Sequence, residues 1–145
     1  MAAAKAEAEW DVGTKRITDV VLDFESYPKF LPEVIAARRL PVSDGALQVE
    51  FELELVKRFR YVLKFRVRED EIAWSLVDSD FFKKNEGRWV LTPISRQRTR
   101  VRYECDVAVG FLIPGWISRK LTEINLPRML ESFEKRAKSS AKKGS

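Results

Sequence analysis

The sequence predicts an α+β fold in which a curved antiparallel sheet packs one face against a long C-terminal helix. Two observations lead there. Period-2 alternation dominates the centre of the chain, where Leu47, Val49, Phe51, Leu53 and Leu55 alternate with Gln48, Glu50, Glu52 and Glu54. Helical periodicity is confined to a short stretch near the N-terminus and a long one near the C-terminus. The resulting order is one strand, two short helices, a run of strands and one long helix.

Taken in order, Ala4, Ala6, Ala8, Trp10 and Val12 alternate with Lys5, Glu7, Glu9 and Asp11, the period of a half-buried strand. Thr14 is the expected N-cap of the first helix, whose apolar face is Ile17, Val20, Val21 and Phe24. Pro28 and Pro32 then permit at most a short second helix across Tyr27, Phe30 and Leu31.

The run Phe59, Tyr61, Leu63, Phe65 and Val67 continues the central alternation, with Arg60, Lys64, Arg66 and Arg68 between its members. Together the two runs are too long for one strand, so a hairpin reversing near Lys57 is expected. Both apolar sets are odd-numbered, and facing residues have a constant index sum, so the loop must hold an odd number of residues. A three-residue loop, Val56 to Arg58, would set Leu53 opposite Tyr61 and Glu54 opposite Arg60.

Three more strands are expected: Glu71 to Val77, bearing Ile72, Trp74 and Leu76; Asn85 to Thr92, bearing Gly87, Trp89 and Leu91; and Arg100 to Val109, bearing Val101, Tyr103, Cys105 and Val107. After Pro114-Gly115, Ile117, Leu121 and Ile124 form one helical stripe, and Leu126, Leu130, Phe133 and Ala137 form another. The phase changes at Pro127, which lacks the N–H for the Glu123 carbonyl and should kink the helix.

At 145 residues, one domain is expected over 1–140, followed by a basic flexible tail over 141–145. With no histidine and one cysteine, neither a Ser-His-Asp or Cys-His centre nor a thiolate or imidazole metal site can be built, and no metal or cofactor is expected. The early acids Glu7 and Glu9 and the absence of an apolar h-region argue against a signal peptide, so a cytoplasmic location is expected.

Four segments carry a resemblance: Asp23-Phe24-Glu25-Ser26-Tyr27-Pro28-Lys29-Phe30-Leu31-Pro32, Asn85-Glu86-Gly87-Arg88-Trp89, Gly110-Phe111-Leu112-Ile113-Pro114-Gly115-Trp116, and Ser132-Phe133-Glu134-Lys135-Arg136-Ala137. Together they resemble the polyketide cyclase/dehydrase and coenzyme Q-binding branch of the START-like helix-grip superfamily. The resemblance implies about seven strands gripping the last helix around a hydrophobic cavity. The branch contains lipid and quinone binders, aromatic polyketide cyclases and proteins similar to a ribosome-associated toxin, so fold alone does not name the ligand.

On this reading the ligand-binding set is Val49, Phe51, Tyr61, Leu63, Phe65, Trp74, Asn85, Trp89, Tyr103, Cys105, Met129 and Phe133. The polar atoms of Tyr61, Tyr103, Cys105 and Asn85 would orient a ligand oxygen, and a solid core would use the same residues as satisfied rim groups. Tyr27, Phe30, Leu31, Phe111 and Ile113 form the expected cavity mouth, apolar enough for peripheral contact with a membrane. The typical ligand pocket is ~300–1,000 Å³.

The expected function is binding and carriage of a lipid, quinone or polyketide-like molecule. The resemblance implies that cyclases of this fold use an inward Arg, Tyr and ordered water rather than a nucleophile, and here parity places no Arg on an inward strand position. A cyclase or dehydratase without His, metal or covalent nucleophile is therefore the alternative, and a ribosome- or protein-interaction module the second. Period 2 puts Arg58 to Arg68 and their aromatic neighbours on opposite faces, against a nucleic-acid groove, and no DNA partner is expected. The five basic residues from Lys135 to Lys143 leave open a solvated helix end or attraction to anionic lipid or ribosomal RNA.

Overall fold

A computed structural model describes residues 2–41, 47–54, 57–110, 113–120 and 126–143. Strand β1 (Ala2–Trp10) is followed by helix α1 (Thr14–Leu22) and a 3-10 helix (Phe24–Lys29). Six strands follow: β2 (Val34–Leu40), β3 (Leu47–Glu54), β4 (Arg58–Val67), β5 (Glu71–Ser79), β6 (Phe82–Ser95) and β7 (Arg98–Val109). Helices α2 (Gly115–Arg119) and α3 (Leu126–Lys143) complete the described chain. The strands form one antiparallel sheet of seven, in the order β1-β7-β6-β5-β4-β3-β2.

Helix α1 buries Ile17, Val20 and Val21, the face that its spacing predicts. Thr14 is not its cap. Gly13 holds that position without a side-chain bond, and the Thr14 hydroxyl meets the Thr99 hydroxyl at 3.1 Å. A Cβ at Gly13 would lie 2.5 Å from the Arg96 carbonyl oxygen, so the close approach requires glycine. Thr99, fully buried, donates to the Val12 carbonyl at 2.7 Å and ties the start of β7 to the β1–α1 connection.

The β3–β4 hairpin corrects the expected register. Phe51 faces Tyr61, Leu53 faces Phe59 and Glu54 faces Arg58, so the three-residue connection is 55–57, one position earlier than predicted. Because the loop length is still odd, both odd-numbered sets keep the same face. Charged residues on the opposite face form an ion-pair ladder. Glu50 accepts from Arg38 at 2.6 Å and from Arg60 at 2.7 Å, Arg60 reaches Asp78, and Arg88 bridges Glu104 and Glu71.

Strand β2 is absent from the sequence-based expectations except as one of the seven strands implied by the resemblance. Leu121 and Ile124 lie outside the described residues, as does the Glu123 carbonyl on which the expected kink depends. Pro127 is the second described residue of α3. Phe133 and Ala137 bury the face of α3 that meets the core, and Leu126 lies at its start. Among the described residues no helix is long and apolar enough to cross a membrane.

Candidate functional site

The strand registers bring the inward aromatics together. Phe51 and Tyr61 stack at 5.3 Å across β3 and β4. Phe65 lies opposite Trp74, Trp74 opposite Gly87, and Trp89 opposite Tyr103, with the Trp89 and Tyr103 rings edge-on at 4.8 Å. Phe133 of α3 closes over this surface, edge-on to Trp89 at 5.1 Å and to Tyr27 at 5.2 Å. Between sheet and helix remains a cavity of about 190 Å³. That is smaller than the ~300–1,000 Å³ expected of a typical ligand pocket.

Of the predicted ligand-binding residues, Phe51, Tyr61, Leu63, Phe65, Trp74, Asn85, Trp89, Tyr103, Cys105, Met129 and Phe133 all line this cavity. Val49 does not: it shares their face but is fully buried within the core. Of the predicted mouth residues, Tyr27 and Leu31 reach the cavity. Phe30 sits behind it, edge-on to Tyr27 and Phe133, with the Arg136 guanidinium 5.3 Å above its ring. Ile113 packs instead on a second apolar cluster of Phe59, Phe81, Phe82, Val107 and Ile117. Phe111 lies outside the described residues.

Sequence reasoning missed Glu33, Val34, Leu53, Phe82, Val107 and Leu126 as lining residues. Leu53, Val107 and Leu126 carried the inward signal in their alternation or helical stripe. Phe82 did not, because the ladder shifts between Phe82 and Lys84 and an even-numbered residue joins the odd face. Its amide and that of Phe81 donate to the Ser79 hydroxyl at 2.8 and 2.9 Å, which holds the β5–β6 turn. Glu33, Val34 and Leu53 are half-buried and adjoin through the Val34–Leu53 pair, making this the less covered part of the wall.

Burial governs the polar groups. It raises the Tyr27 hydroxyl well above the usual phenol range, with the nearby Tyr61 and Asp23 adding to the effect. The Tyr61 hydroxyl is raised by burial alone. Tyr103 is raised chiefly by burial, then by Cys105, Tyr61 and Tyr27, and the Cys105 thiol is pushed up to about 11, again mainly by burial. All four are held protonated and neutral near pH 7. The Tyr27 hydroxyl is already spent on the Val21 carbonyl. Asn85 accepts from the Trp74 indole N–H at 3.1 Å. The only charged side chain among the described lining residues is Glu33.

Known proteins place this geometry in context. The chain is 29% identical over 128 residues to the persistence and stress-resistance toxin PasT of Escherichia coli O6:H1, covering 86% of this chain and 79% of that protein. It is 28% identical over 128 residues, with the same coverage, to the ribosome association toxin RatA of Escherichia coli K12. A START superfamily protein from Mycobacterium smegmatis superposes with a TM-score of 0.82 at 25% identity, covering 94% of this chain and 97% of that one. The family described as polyketide cyclase / dehydrase and lipid transport matches residues 15–134. The chain is thus a member of that family, built on the START-type helix-grip fold.

Proposed function

We propose that this protein binds an apolar small molecule, a lipid, quinone or polyketide-like compound, in the cavity beneath α3 and carries it without transforming it. The observation that supports this is the wall itself: aromatic and aliphatic side chains from β3 to β7 face Phe133 across unfilled space, with few polar atoms. Burying apolar ligand surface there contributes about 25 cal/mol per Å². At about 190 Å³ the cavity encloses a small body, and a longer ligand would extend past Val34 and Leu53 toward solvent.

Carriage is favoured over cyclisation by the chemistry of the lining. The tyrosines and Cys105 are pushed toward their neutral forms, which makes them weak general bases near pH 7. No cation lines the described wall to stabilise a developing enolate. Native mass spectrometry of the purified protein, followed by titration with the neutral probe N-phenyl-1-naphthylamine, tests the reading. A protein that retains no apolar molecule and takes up no probe would sink it.

A second reading rests on the likeness to RatA and PasT: contact with the ribosome through the outer surface. Sedimentation with ribosomal subunits at low and high salt tests it, and a protein that stays in the supernatant at low salt removes it.

A further inference from the structure

We propose that Asn85 is a fixed hydrogen-bond donor that selects ligands presenting an uncharged carbonyl oxygen, an inference that rests on the cavity being the binding site. Two polar side chains are buried among the described residues, Asn85 and Thr99. Thr99 is accounted for by Val12 and Thr14. Asn85 is only half accounted for. The indole N–H of Trp74 can only donate, so its 3.1 Å contact must go to the amide oxygen of Asn85. Chemistry therefore sets the orientation of the carboxamide and leaves its NH2 group, with two N–H bonds, without a protein acceptor among the described residues.

The indole that fixes this orientation is itself held. It lies across Gly87, where any Cβ would stand 2.6 Å from its Cζ2. The Tyr103 ring is 5.4 Å from the indole, and Cys105 lies opposite Gly87 in the neighbouring strand. The Tyr103 hydroxyl and Cys105 thiol also line the cavity and are held neutral chiefly by burial. A carboxylate or phosphate there would have no cation in the described wall and would share the cavity with Glu33. A carbonyl oxygen accepts from the Asn85 amide without bringing charge into an apolar space.

The test uses propiophenone and propylbenzene, which differ by a carbonyl in place of a methylene, as calorimetric probes of the parent, Asn85→Leu and Trp74→Phe. In Asn85→Leu the ketone should bind about tenfold more weakly while the hydrocarbon is unchanged or tighter. In Trp74→Phe, where the amide is free to turn, the ketone-to-hydrocarbon ratio should fall by less. If Asn85→Leu loses the hydrocarbon as well, the ratio in Trp74→Phe decides. Equal effects on both probes overturn the assignment. Failure of the parent to bind either probe overturns the cavity reading and the assignment with it.

Discussion

The indole of Trp74 lies so close over Gly87 that a Cβ at residue 87 would sit 2.6 Å from Trp74 Cζ2 and closer still to the Glu104 carbonyl oxygen. The second contact is with backbone, which cannot swing away. Gly87→Ala should therefore cost about 1–3 kcal/mol or more by overpacking and should displace the indole from Asn85. Urea unfolding measures the first effect and the tryptophan emission maximum the second. A variant as stable as the parent would show that β6 and β7 separate more easily than this packing implies.

Leu63 lines the cavity while remaining buried. Leu63→Trp should fill the space and abolish uptake of N-phenyl-1-naphthylamine, at a stability cost of roughly 1–3 kcal/mol. Fluorescence titration beside thermal unfolding separates the two. Undiminished uptake would place the probe elsewhere.

Tyr61→Phe and Tyr103→Phe each remove one hydroxyl. For a carrier, affinity should fall by on the order of 1 kcal/mol per lost hydrogen bond. For a cyclase, a hydroxyl that positions or protonates a reacting oxygen contributes about 10²–10⁴ in rate. Unchanged affinity with a hundredfold loss of product formation would replace the carrier by an enzyme.

Alkaline pH should destabilise the fold through the same groups. Cys105 rises from an ordinary 9.0 to about 11, and Tyr27, Tyr61 and Tyr103 rise from 10.0. The unfolded chain releases these protons first, so the native state holds more of them and stability falls with rising pH. The contribution is intact below pH 9.0 and is lost progressively through 10.0 and above. Urea midpoints from neutral to strongly alkaline pH should fall, and Tyr103→Phe should flatten the decline. An unaltered slope in that variant would mean that Tyr103 ionises as freely folded as unfolded.

The sheet was legible wherever one face is apolar and the period unbroken, as in β3, β4 and β7. Strand β2 was not. Ile35 and Arg38 are exposed, Ala36 and Ala37 are weak strand formers, and the ladder shifts between Val34 and Ala36, so no clean alternation survives. The hairpin register was missed by one position because parity constrains the length of a loop and not its location. At the cavity, parity identified the inward residues but not how far along each strand the space extends. Val49 therefore joined the predicted set while Leu53 and Val107 were left out.

That irregular strand is also one of the two outer strands of the sheet, with β1 at the other side. An unpaired strand offers its backbone to any extended chain nearby, and a long apolar one invites stacking into aggregates. β2 carries adjacent Arg38 and Arg39, and its ladder is already offset at Ala36. Part of that edge is taken up from within the chain: the Arg39 N–H donates to the Glu25 carboxylate at 3.1 Å and its guanidinium to the Leu22 carbonyl at 2.9 Å, while Arg38 pairs with Glu50. The segment that leads into β2 thus covers part of its outer edge, so Glu25→Ala should keep the cavity and leave the Arg39 amide open to an added strand, read as earlier precipitation at high concentration.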